Sequence, residues 1–260
     1  MIEKYKGFIF DLDGTIYRGN HLIPNAGKTV NNIKSFGKAI IFVSNKTTGS
    51  VSDYYKFLLT KGLKIEEDEI INSTIVLKKY LSTTFAKAKF FAIGEDIFIK
   101  EIEASGLVYS ELADEIDILI VTLDRTLTYE KLEIAAHALE NGARFFAANI
   151  DDTCPVDEGE VLDAGSTISA LEKRTHKKLE QHFGKPSVFM YEEIKRRLKV
   201  DLNKVLLIGD RLETDIALGN NFGIDSALVS TGVKYYPNGT KGINPTFHLN
   251  SVADLLNSKS

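Results

Sequence analysis

Two carboxylates lie one residue apart at the end of an apolar run in the stretch GFIFDLDGTIY, residues 7–17. Asp11 and Asp13 this close repel, so one of them carries a proton unless a cation neutralises the pair. Mg2+, which prefers oxygen ligands, answers that need. Gly14 permits a positive φ or a close backbone approach, so the loop can turn back and present N–H groups to an anion. Thr15 is expected to hold that loop with a local hydrogen bond. The same four residues also read as a plain turn, because Asp and Gly are turn residues.

Three later stretches weigh against the plain turn. IFVSN (41–45) ends an apolar run with the hydroxyl of Ser44 and the amide of Asn45. FGKPS (183–187) puts Lys185 between a strand end and a helix start, where a fixed ammonium can hold a phosphate. LLIGDRLETD (206–215) ends a further apolar run with Asp210 and carries Asp215 five residues later. Each has a bland reading alone: a helix cap, a solvated lysine, or first-turn acids favoured by the helix dipole. All four fall at expected strand ends, and in a parallel sheet ligands collect beyond the carboxyl ends of the strands. Their coincidence outweighs any single match.

The elements that must position them alternate along the chain. Short apolar runs at 7–10, 38–45, 89–93, 117–122, 143–148, 204–210 and 226–231 read as buried parallel strands. Helical segments separate them, at Ala26–Ser35, Ser50–Lys61, Tyr129–Asn141 and Ser187–Leu198, several stopped by glycine. The βαβα order predicts an α/β fold with parallel sheets. No linker composition marks a domain boundary.

Composition sets outer limits. The chain has 260 residues, 43% apolar and 26% charged, enough for one large domain or two modest ones. A formal charge of −4 gives no overall pull toward nucleic acid or an anionic membrane, so neither is an expected partner. No apolar run approaches the roughly 18 residues that span a bilayer, and the opening MIEKYKG lacks a signal-peptide apolar region. The single cysteine, Cys154, has no disulfide partner, and no Cys/His spacing points to zinc. A reduced, cytoplasmic setting is expected.

With the four stretches in this order, the chain resembles the haloacid dehalogenase (HAD) superfamily of phosphohydrolases. Asp11-Leu12-Asp13-Gly14-Thr15 matches its first motif, Ser44 the second, Lys185 the third, and Gly209-Asp210 through Thr214-Asp215 the fourth. TLDRTLTYEKL (122–132), GARFFAANIDDTCP (142–155) and GDRLETDIALGNNFGIDSALVSTGV (209–233) are similar to the NagD and p-nitrophenylphosphatase branch. The resemblance implies a Rossmann-like core at 1–75 and 183–260, with an inserted α/β cap of the C2 type at 76–182. It implies Asp11 as nucleophile, forming an aspartyl-phosphate, and Asp13 as general acid and then base. Mg2+ would be held by the Asp11 and Asp210 carboxylates and the Asp13 backbone carbonyl. Ser44, Asn45 and Lys185 would bind the phosphoryl oxygens, and Asp215 would brace the fourth loop or bind a metal-bound water rather than ligate directly. Dehalogenases of the superfamily typically lack the second aspartate, so Asp13 favours phosphoryl chemistry. The span from Asp11 to Ser44 is too short for the helical cap that phosphomutases place there.

Some positions depart from the family pattern. The cap loop after RFFAAN resembles a specificity loop, with Asn149 and Cys154 as candidates for substrate contact. Leu or His usually stands where this chain has Cys154, and a small buried core residue is an equal reading. Phe183 replaces a smaller residue. Asp124 and Arg125 are expected to form an ion pair that braces the cap. The implied substrate is a small phosphate monoester, of the sugar phosphate, nucleotide, phosphoglycolate or pyridoxal phosphate type, with p-nitrophenyl phosphate accepted in vitro. A phosphotransferase and a catalytically idle metabolite-binding relative stay open as alternatives. The resemblance also implies pairing of caps into a homodimer.

Overall fold

A computed structural model describes residues 1–156, 159–233 and 242–257. Six parallel strands form the larger sheet, in the order Phe247–Leu249, Asp225–Val229, Val205–Gly209, Gly7–Asp11, Ala39–Ser44 and Ile70–Asn72. Gly7–Asp11 is central and buried along its whole length, which is why its sequence is a continuous apolar run. Alternate side chains feed two different cores. Phe8 and Phe10 join the helices Ala26–Ser35 and Val51–Thr60 on one face. Ile9, with Ile41, Val43 and Leu207, joins Ser73–Thr84 and Val188–Leu198 on the other. Ser50 starts its helix with a reciprocal capping box to Asp53.

The second sheet has five parallel strands, ordered Gln181–His182, Arg144–Ala147, Ile118–Val121, Lys89–Ile93 and Val108–Tyr109. One face packs on Tyr129–Glu140 and Ala164–Thr175 through Phe91, Val121 and Phe145. The other face contributes Phe90, Ile120 and Phe146 to the same apolar cluster that backs the larger sheet. The cap region is therefore joined to the core through a shared apolar layer. The sequence-expected edge at 75/76 falls inside the helix Ser73–Thr84. Phe183 lies in the shared layer, fully buried, with ring centroids 4.6 Å from Phe189 and 4.9 Å from Tyr80. Phe146 adds a third ring at 6.0 Å, so the large side chain is packed among aromatics.

Some elements were silent in the sequence. The edge strands Ile70–Asn72 and Phe247–Leu249 are too short to show a period. Two small hairpins pair Tyr17–Arg18 with His21–Leu22 and Thr153–Val156 with Gly159–Leu162. The expected Asp124–Arg125 ion pair does not form. Arg125 instead forks onto Glu95 at 2.5 and 2.9 Å. Asp124 folds back on its own loop, accepting from the Thr126 N–H and from Lys131 at 2.6 Å. Among the described residues no helix is long and apolar enough to cross a membrane.

Glu193, buried on the helix Val188–Leu198, ties that layer to its surroundings. Burial alone would raise its pKa, but Arg196, Arg197 and Lys79 outweigh that and pull it from 4.5 down to about 2. Arg197 in turn donates to the carbonyls of Asp68 and Ile70. A depressed carboxylate stabilises the fold above its unfolded-state pKa, and that contribution is lost as pH falls toward the folded value. Glu193→Gln is therefore expected to cost about 1.5–3 kcal/mol at pH 7, the range for hydrogen bonds to charged groups. In urea titrations the gap to the parent protein should shrink as pH drops from 4.5 toward about 2. A gap independent of pH would show that Glu193 contributes only by packing.

Candidate active site

The strands Gly7–Asp11, Ala39–Ser44 and Val205–Gly209 end at the same edge of the larger sheet. Their parallel register, with Asp11 opposite Val43, brings Asp11, Ser44 and Asp210 to one cavity, whereas Lys185 reaches it not from this sheet but from the turn after Gln181–His182, the edge strand of the second sheet. Asp11, Asp13, Ser44, Asn45, Lys185 and Asp210 all line it. The hairpin of the cap covers them with Thr153, Cys154 and Pro155.

Lys185 is the electrostatic centre, only 3% exposed. Its ammonium pairs with Asp11 Oδ1 and lies 2.6 Å from Asp215 Oδ1. Burial works against its charge, but the two carboxylates prevail and raise its pKa. Asp11 is pushed up chiefly by burial, opposed by Lys185 and reinforced by Asp215 and Asp210. Asp210 is raised by burial and then by Asp215. One oxygen from each of Asp11, Asp210 and Asp215 lies within 4.8 Å of the others. Asp11 Oδ2 is buried with no hydrogen-bond partner among the described residues. Three crowded carboxylates and an orphaned oxygen outnumber the one lysine, and this donor set fits a hard divalent cation.

Backbone approach sets the shape of the site. Gly14 has φ +84, and a Cβ there would lie 2.5 Å from Asp210 Oδ2, so only glycine lets the first loop close on the fourth. The loop after Asp13 is held by Gly14 N–H to the Tyr17 carbonyl at 2.7 Å and by Thr231 Oγ1 donating to the Gly14 carbonyl at 2.6 Å. Thr15 does not hold it: its hydroxyl is buried without a partner among the described residues. Val233 N–H donates to Asp210 at 2.8 Å, and Gly232 passes so near that carboxylate that no Cβ would fit. Asp215 sits in a π-helical turn, Leu212–Ile216, a local distortion common at functional sites. It accepts from the Arg211 N–H at 3.1 Å and so steadies the turn.

Asp13 is not part of the three-carboxylate cluster. Its two oxygens accept from Lys46 Nζ at 3.1 Å and from the Tyr17 hydroxyl at 2.9 Å. Sequence reasoning missed both donors. Lys46 stands two residues past Ser44 at the same strand end, and Tyr17 reaches back only because Tyr17–Arg18 begins a hairpin. Ser44 Oγ accepts from the Lys46 N–H at 3.1 Å. Asn45 is fully engaged: Oδ1 accepts from the Lys185 N–H at 2.7 Å, and Nδ2 donates to Asp151 at 2.8 Å.

The two cap candidates part company. Asn149 is buried off the cavity, bonded to Thr122, Asp151 and Asp163. Cys154 lines the cavity and is 8% exposed. Burial pushes its thiol up to about 12, so it stays protonated and is no nucleophile at neutral pH. Asp163, beside Asp151, is raised to about 6, by burial first and then by Asp151. Arg211 crosses from the core to this loop, donating to the Thr153 carbonyl at 2.7 Å.

Known proteins share this fold. The haloacid dehalogenase-like hydrolase family model matches residues 8–108, and a second, HAD-hydrolase-like model matches residues 182–255. The sugar-phosphatase AraL of Bacillus subtilis is 34% identical over 226 residues, covering 87% of this chain and 83% of the relative. The 4-nitrophenylphosphatase of Thermotoga maritima superposes with a TM-score of 0.88 at 31% identity, covering 99% of this chain and 98% of that one. The glycerol phosphate phosphatase of Mycobacterium tuberculosis, solved in complex with magnesium, superposes with a TM-score of 0.84 at 26% identity, covering 98% and 77%. The chain belongs to the haloacid dehalogenase-like hydrolases, in the NagD and p-nitrophenylphosphatase branch of that superfamily.

Proposed function

We infer that this protein is a Mg2+-dependent phosphatase of small phosphate monoesters. The observation that carries the reading is Asp11, a residue lining the cavity: one carboxylate oxygen is bound to buried Lys185, and the other is buried with no hydrogen-bond partner among the described residues. Such a group is positioned to attack and kept from water. Asp11 bonds to phosphorus as the leaving oxygen departs, giving an aspartyl-phosphate. Asp13, oriented by Tyr17 and Lys46, gives a proton to the leaving oxygen and later takes one from the attacking water. Lys185, the Ser44 hydroxyl and the backbone at Asn45 bind the phosphoryl oxygens as charge redistributes. The Asp11 and Asp210 carboxylates and the Asp13 carbonyl would hold Mg2+, which when bound offsets the charge of the phosphoryl group and of the crowded acids. Asp215 braces Lys185 and the turn. In this reading residues 1–75 and 183–260 are the catalytic core, and 76–182 the cap that reads the leaving group. The names of the relatives support sugar phosphate, glycerol phosphate and p-nitrophenyl phosphate as substrates to try first.

Hydrolysis of p-nitrophenyl phosphate is expected to require Mg2+ and to stop with EDTA. Full activity in metal-free buffer would contradict the role given to Asp11 and Asp210. Calcium should substitute poorly, because its larger coordination shell draws in both oxygens of the nucleophile.

The two aspartates are separable. Asp11→Asn should abolish turnover. Asp13→Asn should slow an alkyl phosphate by at least ~10²–10⁴-fold, the usual contribution of general acid–base catalysis. It should slow p-nitrophenyl phosphate less, since that leaving group barely needs a proton. Equal losses on both substrates would remove the acid role from Asp13.

Cys154→Leu narrows the cavity and should re-rank substrates by size. Steric discrimination of a methylene or two is worth about 1–3 kcal/mol, so kcat/KM of a small substrate relative to a large one should move by about 10- to 200-fold. Mg2+ dependence should not change. If every substrate scales alike while the melting temperature falls, Cys154 is a packing residue only.

A further inference from the structure

We propose that Asp151, supplied by the cap, is a positioning residue that fixes Lys185 from two sides, so that the cap completes the phosphate cradle as well as covering it. The inference rests on the phosphatase reading above. It comes from two chains of contacts that both begin at the Asp151 carboxylate and both end at Lys185. In the first, Asp151 Oδ2 accepts from Asn45 Nδ2 at 2.8 Å, and Asn45 Oδ1 accepts from the Lys185 backbone N–H at 2.7 Å. In the second, Asp151 Oδ1 faces Arg211 Nε at 3.8 Å. The backbone N–H of Arg211 donates to Asp215 Oδ2 at 3.1 Å, and Asp215 Oδ1 holds the Lys185 ammonium at 2.6 Å. One chain sets the lysine's backbone and the other sets its charged end.

Asp151 lines the cavity, and its carboxylate is held in place there. It is 7% exposed and pinned from within the cap by Asn149 Nδ2 at 3.1 Å. Asn149 also bonds Asp163, and its own carbonyl accepts from Thr122, so the carboxylate sits on a rigid cap framework. Thr122 further meets Thr47 of the core loop at 2.7 Å, which draws that framework against the second motif. No slack is visible at the core end either: a Cβ on Gly184 would lie 2.5 Å from Asn45 Oδ1. A carboxylate serving only to pack the cap would not need to engage two loops that converge on the same lysine.

Because Asp151 acts through the phosphoryl-binding side, its loss should not depend on the leaving group. Inorganic phosphate binding in the presence of Mg2+, measured by calorimetry, reads the cradle without turnover. Steady-state kinetics on p-nitrophenyl phosphate and on an alkyl phosphate read its consequence. Asp151→Ala should weaken phosphate binding by about tenfold or more and raise KM for both substrates by a similar factor. Asp151→Asn is nearly isosteric and keeps an acceptor for Asn45, so it should lose only the Arg211 chain and fall between the parent and Asp151→Ala. Combined with Asn45→Ala, Asp151→Ala should cost no more than the larger single change, the signature of two residues in one chain of contacts. Multiplicative effects of the two changes would overturn the proposal. So would losses that differ between the two substrates, or phosphate affinity retained by both Asp151 variants. Failure of the parent protein to hydrolyse any phosphate ester would instead sink the phosphatase reading, and the calorimetric cycle would still decide the positioning role.

Discussion

The buried ammonium of Lys185 is the constraint on which the site depends. Removing an ammonium from water is costly, and a buried ion pair survives only with good geometry and every partner in place. Here Asp11 and Asp215 meet that demand together, both pairing with the ammonium. The requirement radiates outward. Asp215 must be aimed by the π-helical turn, whose start is fixed by Arg211, while Asp11 must end a strand that is buried on both sides. Neutralising one excess carboxylate with a lysine still leaves a negative surplus, which is what makes the site receptive to a cation and, with that cation, to a phosphate.

The sheet delivers this arrangement cheaply in sequence terms. Parallel strands with matched register place loop after loop at one edge, so residues far apart in the chain meet there. Asp11 and Asp210, from neighbouring strands of this sheet, meet that way, and Lys185, 174 positions from Asp11, joins them from the end of the second sheet's edge strand. Close packing of the loops is then a matter of glycine: positions 14, 184, 209 and 232 each lie where a side chain would strike a residue of the site. The apolar layer shared by the two sheets, with Phe183 at its centre, joins cap and core while Arg211, Asn45 and Thr47 stitch the polar rim above it.

Much of this was legible in the chain because strand ends and turn residues announce themselves. Asp11, Ser44, Lys185 and Asp210 were found by type and place, and the helices expected from Ser50 and Ser187 do begin there, each capped by its serine. The rest depended on contacts that have no local signature. Tyr17 and Lys46 converge on Asp13 from different loops, and nothing in their neighbours marks them as its donors. Thr15 looked like a brace, yet the bracing hydroxyl belongs to Thr231, more than two hundred residues later. Asp124 and Arg125 are adjacent opposites, and adjacency suggested a pair, but Arg125 pairs with Glu95 thirty residues away and Asp124 with Lys131 seven residues on. Asn149 and Cys154 lie on one loop, and only folding shows that the first turns inward and the second faces the cavity.

The central claim is that the Asp11 carboxylate carries the phosphoryl group. Borohydride added during steady turnover reduces an acyl phosphate to an alcohol with loss of phosphate, which marks the phosphorylated position permanently. Peptide mass spectrometry of the quenched enzyme should find homoserine in place of aspartate at position 11, dependent on both substrate and Mg2+. An unmodified Asp11 in an enzyme that is turning over, or the mark at Asp13 instead, would contradict the account.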